Sequence, residues 1–275
     1  MPHRWLPGFR VAVLLMEAVH HNPREQWCVW HTKTARSPCS VRDVVTAKTQ
    51  YNLKNALEYF EEHLCVGDYY DEGQRVAGEW VGVGAERLGL AGKVRADDFL
   101  RLCENQHPGT GEKLTQRQNT TRTEGDKNTA NRRIFYDFTF SPPKSVSLVG
   151  FLGNDERIFE AHARAVQAAL KDFEAFAATR VRVGGVRSER LTGNFVAAQF
   201  THDTSRALDP HLHTHCIVFN ATYDAVENRW KALENYELLR ARKFAENIYY
   251  HEFARDLRSF GYQIRNLPRG DFQVE

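Results

Sequence analysis

The densest chemistry in the chain lies in the run Asp209-Pro-His-Leu-His-Thr-His215. In an extended strand, residues i, i+2 and i+4 share a face. His211, His213 and His215 therefore project the same way, and their imidazoles converge without distorting the backbone. A fourth histidine, His202, stands upstream, just past the end of the preceding expected strand. Imidazole is the commonest metal-binding side chain. Three neutral imidazoles from adjoining strands make an open metal site, with positions left for water or substrate. Spacing alone does not choose the ligands: His211 with His213, or His213 with His215, can join His202. By affinity, three imidazoles favour zinc, nickel or manganese. A metal-binding histidine is usually oriented by a carboxylate. Asp137 is the candidate, because it faces away from the aromatic row of its expected strand.

Three tyrosines stand near the start of the regular part of the chain. Tyr59 ends an expected helix, and Tyr69 and Tyr70 follow in a turn-rich stretch. Taken alone, Tyr59 followed by Phe60 reads as plain core. Beside a metal-bound phosphate, however, a phenolate is a sound nucleophile. Its attack on phosphorus yields a phosphotyrosine ester that keeps the energy of the cleaved bond for rejoining, and the metal offsets charge in the transition state.

These groups need elements to hold them. The spacing predicts a strand over 41–46 and a helix over 50–64, with Leu53, Leu57, Phe60 and Leu64 on one face. Turn residues occupy 65–73. A short helix is expected over 96–105, and a polar loop over 106–133. Residues 133–140 alternate as a strand, with Ile134, Tyr136, Phe138 and Phe140 on one face and Phe135, Asp137 and Thr139 on the other. A helix starts at Lys144, and residues 154–178 form a strongly amphipathic one. Residues 180–187 and 191–200 read as paired strands joined near 187–190. Strands over 211–220 and 230–233 follow, then a long helix over 235–260 ended by Gly261, and a last hairpin from 262–265 and 272–274. Strands and helices do not alternate strictly, and hairpins recur. The fold class expected is α+β, an antiparallel sheet with helices packed on one face.

Three segments together resemble the relaxase domain of the TrwC/TraI class (MobF) of conjugative relaxases. They are Tyr136-Asp-Phe-Thr-Phe-Ser-Pro-Pro-Lys-Ser-Val-Ser147, His202-Asp-Thr-Ser-Arg206 and Asp209-Pro-His-Leu-His-Thr-His215. Leu57-Glu-Tyr-Phe60 and Asp68-Tyr-Tyr70 match the two N-terminal tyrosine motifs of that family, and Gly78-Glu-Trp80 and Gly84-Ala-Glu-Arg-Leu-Gly89 also fit its pattern. The resemblance runs from about residue 44 to residue 275, with the motifs in order. It implies the HUH-endonuclease fold. It also implies an enzyme that binds a plasmid origin of transfer as a hairpin plus single strand. Such an enzyme nicks one strand, stays attached to its 5′ end through tyrosine, and later reverses the chemistry.

Residue by residue, Tyr59 matches the first nucleophile and Tyr69 the tyrosine of the second strand transfer. His202, His213 and His215 match the metal triad. The family often has glutamine where this chain has His211, which makes His211 an outer neighbour. Asp137 matches the carboxylate that bonds a metal histidine and helps activate tyrosine. The cofactor implied is a divalent ion, magnesium or manganese, with zinc or nickel as alternatives. The partners implied are single-stranded and hairpin DNA at the origin, accessory relaxosome proteins and a secretion-system coupling protein, all in the bacterial cytoplasm. One departure stands out: the family often has Tyr-Tyr at the first motif, and this chain has Tyr59-Phe60.

Charge and length fit around this reading. The formal net charge is +2 over 275 residues, uninformative as a sum. Its distribution is uneven: residues 113–133 carry six Lys or Arg against two acids, and Arg180, Arg182, Arg187 and Arg190 mark the next expected strands. Such groups neutralise phosphates without reading sequence. Lys144, Arg206 and Arg133 are the candidate DNA contacts. Five cysteines without a CxxC pair make neither a disulfide framework nor a zinc ribbon. No GxxxxGK[ST] motif occurs, so no helicase core is expected within the chain. No apolar run is long enough to span a membrane, and the apolar stretch 11–16 is too short for a secretory signal.

Residues 1–43 lack periodicity and read as an atypical extension, with a natural start near Val41, Val44 or Val45. Residues 44–275 read as the relaxase domain without its C-terminal helical part. Two other functions compete: a truncated remnant that binds origin DNA without efficient turnover, and a three-histidine metallohydrolase or oxygenase for small molecules. The last leaves the tyrosine motifs idle.

Overall fold

The computed structural model describes residues 45–64, 76–116, 121–124, 127–130, 132–205, 209–268 and 270–275. The chain divides into two units, Met1–Arg42 and Asp43–Glu275, and every described residue lies in the second. In chain order the elements begin with β1 (Val45–Gln50) and α1 (Leu53–Tyr59), which runs into a π-helical turn (Phe60–Leu64). Then come β2 (Glu79–Val81), α2 (Val83–Arg87), α3 (Ala96–Cys103), β3 (Thr121–Glu124), β4 (Lys127–Ala130) and β5 (Phe135–Phe140). Helices α4 (Lys144–Gly153) and α5 (Glu156–Glu174) precede β6 (Ala178–Val183), β7 (Val186–Leu191), β8 (Ala197–Thr204) and β9 (Pro210–Phe219). The rest is β10 (Thr222–Asp224), β11 (Arg229–Lys231), β12 (Leu233–Glu234), α6 (Tyr236–Ser259), β13 (Ile264–Asn266) and β14 (Phe272–Val274).

The main sheet has the order β1-β5-β9-β8-β2, and every neighbouring pair is antiparallel. Strand alternation sorts its residues onto two faces. Tyr136, Phe138 and Phe140 on β5, with Leu212, Cys216 and Val218 on β9, join α5 and α6 in one buried core. Helix α5 is built for that face. Ile158, Ala161, Ala165, Val166, Ala169, Leu170 and Phe173 recur at helical spacing and are buried. Its first turn is capped by Asp155, whose side chain accepts from the Arg157 amide. Helix α6 ends where Gly261 takes φ +98°, a left-handed value that suits glycine.

The other face carries a second core. Phe60, Phe99, Phe135, Phe200, Ile217 and Phe219 pack there with Trp80, Leu88 and Leu102. Phe60 and Phe99 stack with ring centroids 4.2 Å apart. Fully burying a side chain such as Phe99 is worth roughly 1.5–3 kcal/mol. This core covers the Ile217–Phe219 end of β9, while His211, His213 and His215 at the other end stay half-buried. The expectation of helices on one face alone is therefore corrected. The aromatic residues of the Asp137 face need their own cover, and α1 and α3 supply it.

Three further expectations change. The first strand is β1 at Val45–Gln50, later than 41–46, and residues 41–44 lie outside the described residues. The stretch 106–133 is not all loop, because β3 and β4 pair within it. Residues 180–187 and 191–200 do not pair. Instead β6 and β7 form a hairpin turning at Gly184 and Gly185, both with positive φ. Two consecutive glycines are the residues a tight two-residue hairpin turn requires. Freed from that pairing, β8 joins the main sheet beside β9. The turn-rich segment 65–73 lies outside the described residues.

A buried carboxylate ties the start of α2 to the segment that leads into β8. Glu174 Oε1 accepts from the Val83 amide at 2.8 Å and the Phe195 amide at 2.9 Å. Gly84 sits so close that an added Cβ would meet the Phe195 carbonyl oxygen at 2.5 Å.

Candidate active site

The register of the sheet assembles the site. On β8 and β9, His202 stands opposite His213. On β5 and β9, Thr139 stands opposite His215. The rings of His202 and His213 stack with centroids 5.2 Å apart, and both lie against His215, at 5.7 and 5.1 Å. His211 flanks the group, 4.8 Å from His213.

Asp137 is 2% exposed, so its charge must be paired inside the protein. It accepts from the Tyr59 hydroxyl at 2.6 Å (Oη to Oδ2) and from His215 Nδ1 at 2.9 Å (Oδ2) and 3.1 Å (Oδ1). Thr139 Oγ1 donates to the other carboxylate oxygen at 3.2 Å. Burial pushes this carboxyl up, but His215, Tyr59 and Lys48 together outweigh it and hold the group below its ordinary value. Asp137 is thus ionised at neutral pH and touches both a tyrosine and a histidine. Tyr59 reaches it because helix α1 starts on Asn52, whose side chain caps the Lys54 amide, and ends at Tyr59. The next residue, Phe60, rolls into the second core, 4% exposed. Adjacent helical residues point about 100° apart, so one goes to the site and the other to packing.

The bonds to Nδ1 set the tautomers. His215 Nδ1 faces a carboxylate, and His213 Nδ1 faces the His211 carbonyl oxygen at 2.8 Å. Both acceptors face Nδ1–H, which in the neutral ring leaves the lone pair of Nε2 open. Burial lowers the His213 pKa to about 3. His215, His202 and His211 add to that, and only the bond to the His211 carbonyl opposes it. Neutral imidazoles with Nε2 open are the form a divalent ion binds. The donor set therefore fits such an ion in chemistry, although no group of three His, Cys, Asp or Glu among the described residues stands ready to hold one.

Helix α4 pins the start of the histidine strand. Lys144 Nζ donates to the Pro210 carbonyl at 2.5 Å, and Ser147 Oγ accepts from the Leu212 amide at 3.1 Å. The Ser-Pro-Pro-Lys-Ser-Val-Ser segment thus holds the backbone on either side of His211. Ser147 belongs to that motif, but its reach to β9 is not readable from sequence. Lys48 is a second residue that the sequence reading missed. It faces Asp137 across the β1–β5 pair, and the misplaced strand boundary had left it outside.

Arg133 is not brought to the histidines. Its Nη1 donates to Asn235 Oδ1 at 2.7 Å. It lines a cleft of about 400 Å³ with Tyr51, Arg132, Arg180, Lys231 and Glu234. That cleft lies beyond the Phe135 end of β5. Arg180 pairs with Glu234, and Arg190 with Asp224 at 2.8 Å. Part of the expected positive ribbon is therefore neutralised within the protein. Arg182 and Arg187 stand opposite each other in the hairpin register. Tyr69 and Arg206 lie outside the described residues.

Helices packed on an antiparallel sheet agree with the relaxase class that the motifs resemble. The chain belongs to the TrwC relaxase family, which it matches over residues 53–275. It is 43% identical over 175 residues to the multifunctional conjugation protein TraI of Escherichia coli K12, covering 64% of this chain and 9% of that protein. A second TraI from Escherichia coli is 44% identical over 169 residues, again 9% of its length. The chain thus spans about a tenth of the curated relatives it matches. Among solved structures, it is similar to the conjugative relaxase TrwC in complex with OriT DNA in a metal-bound form. The TM-score is 0.68 at 36% identity, covering 84% of this chain and 75% of that one. TrwC with a 27-mer DNA comprising the recognition hairpin and the cleavage site matches with a TM-score of 0.67 at 33% identity, covering 84% of this chain and 74% of that one.

Proposed function

We propose that this chain nicks and rejoins one DNA strand at a plasmid origin of transfer, through a 5′-phosphotyrosine, to start conjugative transfer. The observation that carries the reading is the 2.6 Å bond from the Tyr59 hydroxyl to Asp137, whose carboxylate also holds His215. In this reading it joins the nucleophile Tyr59, the base Asp137 and the histidine strand in one contiguous group.

In this reading Asp137 takes the phenol proton as Tyr59 Oη attacks the scissile phosphorus. The P–O3′ bond breaks, the 3′ oxygen leaves and is protonated to a 3′ hydroxyl, and the 5′ phosphate stays on Tyr59. Rejoining runs the same path backwards, with the 3′ hydroxyl attacking the phosphotyrosine. His202, His213 and His215 would hold the divalent ion, with His211 outside them. Bound there, the ion would polarise the phosphoryl oxygens and offset their developing charge. Magnesium or manganese is the proposed ion, with zinc or nickel as alternatives. Tyr69 is assigned the second strand transfer. Lys144, Arg206 and Arg133 are assigned to phosphate contacts, with hairpin and single-stranded DNA as the substrate. Accessory relaxosome proteins and a coupling protein are the further partners proposed, in the bacterial cytoplasm. No helix among the described residues is long and apolar enough to cross a membrane.

The test uses single-stranded oligonucleotides tiling the DNA that flanks the gene. A protein–DNA species that survives a denaturing gel, needs divalent ion and vanishes with chelator supports the reading. Binding without any covalent species, across all tiles and with each of the four ions, overturns it in favour of a DNA-binding remnant.

A further inference from the structure

Behind the histidine strand runs a polar chain, buried except at its exposed end on Thr201, that the chemistry above does not use. Thr214 lies between His213 and His215 but points to the opposite face of β9, and it is 1% exposed. Its Oγ1 is 2.8 Å from His162 Nε2 and 2.9 Å from Thr201 Oγ1 on β8. His162 sits on α5, fully buried, and its Nδ1 is 2.8 Å from the Tyr249 hydroxyl on α6. Thr201 stands opposite Thr214, and the next pair in the register is His202 with His213. The chain Tyr249–His162–Thr214–Thr201 therefore crosses from α6 through α5 to the two strands at the point where the histidines leave the other face.

Such a chain is costly unless every member is satisfied, and an apolar filling would be simpler. One tautomer satisfies it completely. The Tyr249 hydroxyl donates to Nδ1, Nε2–H donates to Thr214 Oγ1, and the Thr214 hydroxyl donates to Thr201 Oγ1. Successive strand side chains alternate in direction. A rotation of β9 about Thr214 therefore swings His213 and His215 together. Fixing Thr214 from behind fixes both imidazoles in front.

We propose that His162 is a positioning residue for the metal site: through Thr214 and Thr201 it locks the register of the two strands that present His202, His213 and His215, and so sets where their imidazoles stand when a divalent ion binds. The proposal rests on those three histidines being the ligands. Groups bonded directly to a ligating imidazole typically contribute 10–100-fold to metal affinity; His162 acts one step further back, through the strand, so the lower end of that range is expected.

Cobalt(II) is the probe, titrated into the purified full chain and followed by visible absorption and calorimetry. Measurements are made well below each variant's unfolding temperature. His162→Phe keeps ring volume and removes both bonds, and Thr214→Val removes the hydroxyl alone. Each is expected to weaken cobalt affinity about tenfold and to alter the visible spectrum. His162→Gln, which keeps an Nε2–H donor, should recover most of the affinity. The double variant His162→Phe with Thr214→Val should bind no more weakly than the worse single one, because both cut one chain. Should His162→Phe fail to fold, Thr214→Val carries the decision. Unchanged affinity and spectrum in folded Thr214→Val and His162→Phe, whatever their loss of thermal stability, would mean that the chain only docks the helices, and the proposal falls. The ligand reading is judged separately by His213→Ala. If that variant binds cobalt like the wild type, or if the wild type binds none, the ligand set itself is wrong and the positioning role falls with it.

Discussion

Tyr59 and Asp137 form the smallest unit of the account. The carboxylate is buried, ionised and bonded to both the phenol and His215, so its charge and its shape can be separated by mutation. Asp137→Asn keeps the shape and removes the base. It should lower the nicking rate by roughly 10²–10⁴-fold, the usual worth of a positioned general base, while single-strand affinity changes less than about threefold. Single-turnover cleavage beside an equilibrium binding titration checks both numbers. At this scale the sequence reading was strong in residue type and weak in partner. Alternation on a strand put His211, His213 and His215 on one face. It did not say that His202 pairs in register with His213, because cross-strand register depends on which strand lies alongside. Asp137 was legible as a polar residue opposite an aromatic row, but its bond to a tyrosine 78 positions away was not.

The elements hold that unit by a few close fits, each with its own measurable cost. At Gly84 an added Cβ would meet the Phe195 carbonyl oxygen at 2.5 Å, and backbone cannot step aside cheaply. Gly84→Ala should therefore cost about 1–3 kcal/mol, as overpacking does, read from urea unfolding midpoints. The polar chain behind β9 sets an acid limit. Burial lowers the His162 pKa to about 3, with His213 adding to that shift, and the His213 pKa also lies at about 3. An unfolded histidine titrates near 6.5. Between those values the unfolded chain binds protons that the native one refuses, so stability falls as pH drops from about 6.5 towards 3. Each group contributes up to about 1.4 kcal/mol per pH unit. Unfolding in urea at pH 7 and pH 5, with chelator present, should show this loss, and His162→Phe should show a shallower one. The helices were readable because amphipathic spacing is local. The strand pairing around 180–200 was not. The paired glycines at 184 and 185 mark the turn, but the polar stretch 187–190 looks equally like a connection when only the sequence is considered.

On the scale of the whole molecule, the near-neutral sum of +2 hides how charge is used. Arg180 and Arg190 are held by Glu234 and Asp224, so they serve the fold before they can serve DNA. Arg133, beside the basic cleft, is the better candidate for a phosphate contact. Arg133→Ala should weaken single-strand binding at every salt concentration and reduce the slope of log affinity against log salt by about one. Titration between 50 and 200 mM salt would measure it. The α+β class was readable from the mix of hairpins and long helices. The second core was not, because the sequence does not reveal that α1 and α3 fold over the Asp137 face. Residues 1–43, Tyr69 and Arg206 lie outside the described residues.

The account stands or falls on which atom receives the DNA. The covalent species formed with magnesium or manganese should be isolated, digested with protease and nuclease, and mapped by tandem mass spectrometry. The account predicts a nucleotide 5′-phosphate on the peptide containing Tyr59, and no adduct in Tyr59→Phe during the first cleavage. A full-yield adduct in Tyr59→Phe, or one mapped to any residue other than Tyr59 in the wild type, would contradict it.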